Sequence, residues 1–167
     1  SFEAQTLLSL GSGNPSTLYI AIGDLDNNGG LDIVVSNAGG AGIGVISGYG
    51  DGTFDQLIQV VPDGEYGEVT LADQNNDGNL DIVSVDIDTD RVLVLLGQGD
   101  GSFEPGIFTD SGGRLGRFCS VSDLNADGNP DVIVGRTVPR KNGGSDREVV
   151  IMFGNGDGSL TVSTPLP

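Results

Sequence analysis

Short apolar stretches alternate with polar, glycine-rich segments along the chain, and the pattern recurs about every fifty residues. In each recurrence one apolar stretch directly follows an acidic segment (residues 33–35, 82–85 and 132–134), and a second follows later (residues 43–46, 92–96 and 149–153). Stretches of this length, with no helical period between them, are typical of β-strands. The sequence therefore predicts an all-β protein.

Each repeat contains two further strand-like stretches, one before the acidic segment and one after the second apolar stretch. Four antiparallel strands per repeat are typical of a β-propeller blade, whereas a parallel β-helix normally has shorter repeats without hairpins. We predict three four-stranded blades at residues 18–61, 67–110 and 117–164, the last with an insertion at residues 136–147. Residues 1–17 are predicted to supply the outer strand of a preceding blade.

Three blades are too few to close a propeller, which usually needs four to eight. Uncovered blade faces are sites of association. The sequence thus predicts either self-association, as a six-bladed ring of two copies or a head-to-tail stack, or membership of a larger propeller.

A Gly-x-Gly-Asp-Gly segment follows the second apolar stretch of each repeat. The pairs Asp51 with Gly52, Asp100 with Gly101, and Asp157 with Gly158 predict type I′ hairpin turns, in which both central residues have positive φ. We interpret these aspartates as turn formers, not as metal ligands.

The acidic segments, here called loops 1, 2 and 3, cover residues 24–32, 73–81 and 123–131. Positions 1, 3, 5 and 9 of every loop carry oxygen-bearing side chains, and position 6 is the glycine that a sharp reversal needs. The backbone carbonyl at position 7 is a further candidate ligand. The predicted ligands are Asp24, Asp26, Asn28, Gly30 and Asp32 in loop 1, Asp73, Asn75, Asp77, Asn79 and Asp81 in loop 2, and Asp123, Asn125, Asp127, Asn129 and Asp131 in loop 3.

Each loop collects three carboxylates and one side-chain amide, so mutual repulsion favours a bound cation. Oxygen ligands in a flexible arrangement favour Ca²⁺ over Mg²⁺, and a chain with no histidine and one cysteine is poorly suited to zinc or copper. An EF-hand is excluded because the glutamate at position 12 and the flanking helices are missing. We predict three calcium ions, one per loop.

The D-x-[DN]-x-[DN]-G-x-x-D loops and the G-x-G-D-G-[ST]-[FL] turns resemble the FG-GAP/VCBS repeat family, and the resemblance spans nearly the whole chain. It implies calcium-binding propeller blades in which the loop joins the inner strand to the next strand. The family includes integrin α-subunit propellers, bacterial secreted proteins and lectins.

The net charge of −17 makes nucleic acid and anionic membrane surfaces poor partners, and no apolar run is long enough to span a membrane. Six of the seven basic residues lie between residues 114 and 147. We expect the acidic and basic ends to dock head to tail, or residues 136–147 to form a solvated loop. Arg114 and Arg117 are candidates to hold an anionic ligand.

The leading functional hypothesis is a calcium-binding, non-catalytic structural or adhesion module of an extracellular or cell-surface (secreted) protein. Its expected partners are calcium and another protein. A calcium-stabilised lectin with a glycan ligand is the alternative, and Tyr66 is its best exposed candidate for stacking on a sugar. An enzyme is not expected, since no histidine is present for a proton relay. Cys119 is expected to lie in the core.

Overall fold

The computed structural model of the protein describes residues 18–37 and 40–163, and its regular elements there are all β-strands. Twelve strands form three separate four-stranded antiparallel sheets, which confirms the predicted all-β fold and its four-stranded units. The strand predicted within residues 1–17 lies outside the described residues. Nothing in the described ranges is a helix of the length and apolarity that crossing a membrane requires.

The strands of each sheet lie side by side in chain order. Sheet 1 contains β1 (Leu18–Gly23), β2 (Asp32–Asn37), β3 (Gly42–Ile46) and β4 (Ile58–Val61). Sheet 2 contains β5 (Tyr66–Ala72), β6 (Asp81–Asp86), β7 (Arg91–Leu95) and β8 (Ile107–Asp110). Sheet 3 contains β9 (Arg114–Ser122), β10 (Asp131–Pro139), β11 (Ser145–Gly154) and β12 (Leu160–Val162).

Sheet 2 lies between the other two sheets and is covered on both faces. Alternate residues of β6 enter different cores, because successive side chains of a strand point to opposite faces. Ile82 packs with Val34 and Ile43 of sheet 1, whereas Val83 packs with sheet 3. The core between sheets 2 and 3 also contains Cys119, as expected.

Sheets 1 and 3 each keep one uncovered face in the described part of the chain, and there the three sheets do not close into a ring. On β1 the exposed residues alternate with covered ones, and Ile20 and Ile22 are 59% and 61% exposed. Val149 of sheet 3 is 72% exposed. The first strands nevertheless meet, since the rings of Tyr19 (β1) and Phe118 (β9) make an edge-to-face contact at 5.9 Å.

The three Gly-x-Gly-Asp-Gly segments do form turns, but the type I′ assignment is wrong. Positive φ occurs at the glycines on both sides of the aspartate, as at Gly50 and Gly52, and not at Asp51. The Asp51 carboxylate instead accepts bonds from the backbone nitrogen (2.9 Å) and the hydroxyl (2.6 Å) of Thr53. The aspartate therefore caps a five-residue turn closed by a bond from Tyr49 N to Thr53 O at 3.1 Å.

Residues 136–147 are not a solvated loop. They lengthen β10 and β11 into a paired hairpin that runs from Arg136 opposite Glu148 to Pro139 opposite Ser145. The turn itself is short and uses two glycines with positive φ, Gly143 and Gly144. Arg136 and Arg147 thus stand on paired strands, whereas Arg140 and Lys141 lie at the hairpin turn.

Candidate metal centres

Each acidic loop joins the first strand of its sheet to the second, so the three loops occupy equivalent places in the fold. The aspartate at position 1 holds the loop together. In loop 2, Asp73 accepts bonds from the backbone nitrogens of Asp77 (3.0 Å) and Gly78 (2.9 Å). Asp24 and Asp123 accept the same two bonds in their loops, at 3.0 to 3.2 Å.

Positions 3 and 5 always pair one carboxylate with one amide, but in opposite order. Loop 1 has Asp26 then Asn28, and the amide donates to the carboxylate at 2.9 Å. Loop 2 has Asn75 then Asp77, joined at 2.8 Å, and Asn125 with Asp127 repeats this arrangement. All three loops thus have the same number of carboxylates, although the order of carboxylate and amide at positions 3 and 5 differs between loop 1 and the other two.

The position 9 aspartates, Asp32, Asp81 and Asp131, are buried. In loop 2, one carboxylate oxygen of Asp81 accepts a hydrogen bond from the backbone N–H of Gln74 at 2.6 Å. The other accepts one from the backbone N–H of Gly97 at 2.8 Å. Asp32 and Asp131 make the corresponding bonds at 2.7 to 2.9 Å. This residue therefore fastens the loop to the start of the Asp-Gly turn in the same sheet, a role that the sequence did not reveal.

Burial and charge act in opposite directions on these carboxylates. Burial raises the pKa of Asp81 to about 6, against the two amide bonds that lower it, and the charges of Asp77 and Asp73 raise it further. The pKa of Asp77 is lowered, first by the bond from the amide of Asn79 and then by the bond from Asn75. One loop thus holds an exposed, readily ionised acid close to a buried one whose charge is costly.

Loop 1 brings its three carboxylates closest. Asp24, Asp26 and Asp32 each offer an oxygen within 4.8 Å of the other two. Such a set of oxygens fits a hard cation, and Asp24 and Asp26 remain partly open to solvent. In loops 2 and 3 an amide replaces the acid at position 3, so the oxygen set there combines carboxylates with Asn75 or Asn125. The carbonyl ligand at position 7 stays a prediction.

Position 4, which is not among the predicted ligand positions, joins successive loops. Asn27 donates its side-chain nitrogen to the side-chain oxygen of Asn79 (3.1 Å) and to the carbonyl of Gly99 (3.2 Å). Asn76 donates in the same way to Asn129 at 2.8 Å. The position 4 residues have φ near 60°, which asparagine tolerates well, and the asparagine at position 4 of loops 1 and 2 was the signal available in the sequence.

The structure also corrects the choice of exposed tyrosine. Tyr66 is only 4% exposed and packs in the core between sheets 1 and 2, so it is not available to a sugar. Tyr49 is 56% exposed on the Asp-Gly turn of sheet 1, and its hydroxyl donates to Asp55 at 2.6 Å. The polar sequence around Tyr66 concealed its burial, because neighbouring loop residues carry the polarity.

Comparisons with known proteins agree with this architecture. No curated protein matches the chain significantly in sequence. A similar solved structure is that of an Agrocybe aegerita lectin described as specifically recognising non-reducing terminal N-acetylglucosamine, with a TM-score of 0.63 and 23% identity. The match covers 92% of this chain and 39% of that chain, and at this identity it shows likeness of fold. The family model for the FG-GAP-like repeat matches residues 24–84 and 73–134, so the chain belongs to the FG-GAP-like repeat family.

Proposed function

We propose that the chain is a calcium-binding, non-catalytic structural or adhesion module of an extracellular protein, built as β-propeller blades with one calcium ion in each of its three loops. The observation that carries the proposal is the repeated donor set. All three loops hold the same positions with the same backbone bonds, and each contains three carboxylates. Turn propensity alone would not require three acids in every loop.

The donor set fits calcium. Side-chain oxygens at positions 1, 3, 5 and 9, with the position 7 carbonyl, would supply the oxygen-only shell that Ca²⁺ prefers. A bound cation would also offset the repulsion that Asp73 and Asp77 impose on Asp81. Each site filled at a free calcium concentration of about ten times its Kd would stabilise the fold by about 1.4 kcal/mol.

The exposure of these loops supports an extracellular setting. Most oxygens at positions 3 and 5 face solvent, so binding is expected to be weak, and extracellular modules commonly rely on millimolar calcium. The non-catalytic assignment rests on the absence of histidine and on carboxylates that are committed to backbone bonds.

The uncovered faces of sheets 1 and 3 support assembly, either with another copy of the chain or with the remaining blades of a larger propeller. Ile20 and Ile22 form an apolar surface on one side of the stack, and Val149 lies on the other. Apolar side chains exposed on an uncovered sheet face are consistent with an interaction site. The chain also spans only 39% of the length of the solved lectin that it resembles.

Calcium titration by calorimetry and thermal melting tests the proposal. We expect up to three sites and a marked fall of Tm in EDTA. The variants Asp24→Asn, Asp73→Asn and Asp123→Asn should each weaken one site, and Asp51→Asn, on the turn, is the control. An unchanged melt in EDTA would refute calcium binding. Native mass with and without EDTA tests assembly, and a monomer at every concentration would leave only the larger propeller.

A carbohydrate-binding lectin is the second candidate, favoured by the exposed ring of Tyr49 beside loop 1. Because the solved structure with a similar fold belongs to a lectin for N-acetylglucosamine, this sugar is the first probe. Calcium-dependent quenching of tyrosine fluorescence that Tyr49→Ala abolishes would support this candidate. A glycan array without calcium-dependent binding would remove it.

A further inference from the structure

The basic residues of this acidic protein collect in one place. Residues 1–113 hold 18 acidic residues and one basic residue, whereas residues 114–167 hold six of each. Four of those six basic residues line a single cleft in sheet 3, with a volume of about 470 Å³. They are Arg114, Arg117, Arg136 and Arg147. Glu148 is the acidic residue in the lining.

A break in strand pairing shapes the cleft. The register of β9 and β10 shifts between Val134 and Arg136, so Gly116 and its neighbours bulge opposite Gly135. A methyl group added at Gly135 would meet no atom within 4 Å, and one added at Gly116 would meet only the Gly135 carbonyl at 3.4 Å. The open space therefore exists because two glycines face each other on a sheet that is otherwise regular.

One of the four arginines, Arg136, is held in place by hydrogen bonds and forms part of the cleft wall. Arg136 is largely buried, its guanidinium bonds Glu148 at 2.8 and 3.0 Å, and it also donates to the carbonyl of Ser111. This pair is neutral and fixed. Asp90 is held nearby, because its carboxylate accepts the amide of Leu115 at 2.9 Å.

The other three arginines are exposed and line the cleft. Within residues 18–37 and 40–163, Arg114, Arg117 and Arg147 form no salt bridge. Four arginines less one glutamate leave a formal charge of +3 in the lining. By contrast, Arg140 at the hairpin turn is paired with Asp146. Three of the four basic side chains without a salt bridge in the described part of the chain thus line the cleft, and the fourth is Lys141 at the hairpin turn.

Two of these arginines lie in one row across the sheet. Arg114 of β9 and Arg147 of β11 both pair in register with Thr137 of β10. Two strand spacings separate their backbones by about 10 Å, a distance that two arginine side chains can close around one small group. Guanidinium groups match the planar oxygens of carboxylates and phosphates, and the Thr137 hydroxyl adds a donor between them.

We propose that this cleft binds a single oxyanion group, a carboxylate, sulfate or phosphate ester, carried by a small molecule of otherwise low charge. The size of the cleft suits a small ligand rather than a polymer. A long polyanion is disfavoured because it would meet the acidic residues of sheets 1 and 2 beyond the cleft. The site is separate from the calcium loops and does not depend on their being filled.

The test titrates the calcium-loaded chain with acetate, sulfate and glycerol phosphate at constant ionic strength, followed by the backbone NMR signals of Gly116 and Gly135. We expect saturable shifts with one of the three anions, and the best of them identifies the group. Arg114→Ala and Arg147→Ala should each weaken binding about tenfold or more, since each removes charge-assisted hydrogen bonds. Gly135→Leu should block binding without changing charge.

Lys141→Ala is the matched control, because it removes one positive charge outside the cleft and should leave the affinity unchanged. Equal weakening by this variant would show general charge attraction and overturn the proposal. So would the absence of saturable shifts with all three anions in a chain that still melts cooperatively. Anion affinity that falls as protein concentration rises would assign the cleft to carboxylates of a second copy, which also overturns it.

Discussion

Asn27 and Asn79, 52 residues apart in the chain, are joined by a side-chain hydrogen bond of 3.1 Å that connects loop 1 to loop 2. Asn76 and Asn129 connect loop 2 to loop 3 in the same way. Each donor is at position 4 of its loop and each acceptor is at position 7 of the next. The candidate calcium sites are therefore in direct contact through their own side chains.

Replacing Asn76 by alanine should lower the free energy of unfolding by about 1 kcal/mol, since an exposed hydrogen bond is lost at a residue with positive φ. Alanine is compatible with this backbone, because Ala126 occupies position 4 of loop 3 at the same φ of 60°. Urea unfolding measures the change. Asn129→Ala should add little in the Asn76→Ala background, and full additivity of the two would contradict the link.

Gln74 is buried, and neither polar atom of its side chain has a hydrogen-bond partner among the described residues. Leu25 holds the same loop position between sheets 1 and 2 and is 2% exposed. Gln74→Leu should therefore raise the free energy of unfolding by about 1 to 3 kcal/mol. Leu25→Gln is the reciprocal control and should lower it. A destabilised Gln74→Leu variant would show that the amide has a role.

Asp81 and Asp77 should respond differently to replacement by asparagine. In Asp81→Asn, the side-chain NH2 group would face one of the two buried backbone N–H groups that the carboxylate accepts, so two donors would oppose each other. The substitution should therefore lower the free energy of unfolding by about 2 kcal/mol even in EDTA. Asp77→Asn changes an exposed position and should lower calcium affinity with little effect on stability in EDTA. Melting of both variants with and without calcium separates the two roles. Equal losses in EDTA would contradict the distinction.

Cys119 should react slowly with thiol reagents while sheets 2 and 3 stay packed. Its side chain is 7% exposed, and burial raises the pKa of the thiol to about 12. The thiolate is the reactive form, so the rate should rise with pH throughout the neutral and mildly alkaline range. Calcium removal should speed labelling if it loosens the sheets. Ser120→Cys in a Cys119→Ala background, exposed at the next position, should label fast under both conditions.

Much of this fold could be read from the sequence because the repeat aligns three independent copies of each feature. β3 and β7 lie within a residue of the predicted stretches 43–46 and 92–96, since a run of apolar residues ending near the Asp-Gly turn marks them. Residues 136–147 were harder to predict. Their charged and glycine-rich composition indicates a loop, but pairing of β10 with β11 satisfies their backbone and overrides that preference.

The acidic loops show the same limit. Sequence spacing identified the oxygen side chains, but it could not show that Asp81 is buried and bonded to Gly97, 16 residues away. Nor could it show that Asn27 reaches a different repeat. Those contacts depend on how the sheets stack, and stacking is set by apolar side chains such as Ile82 and Val83 rather than by the loops. Local patterns give the ligands, and tertiary packing gives their partners.

Sheet 2 contributes residues to both cores, so its amides are enclosed by a neighbour on each side. Loss of sheet 1 or sheet 3 removes one interface, whereas loss of sheet 2 removes both. Unfolding is therefore expected to start at the outer sheets, with the slowest hydrogen exchange in β6 and β7, whose residues are almost all buried. The first and third repeats therefore each depend on the middle repeat for their packing interface.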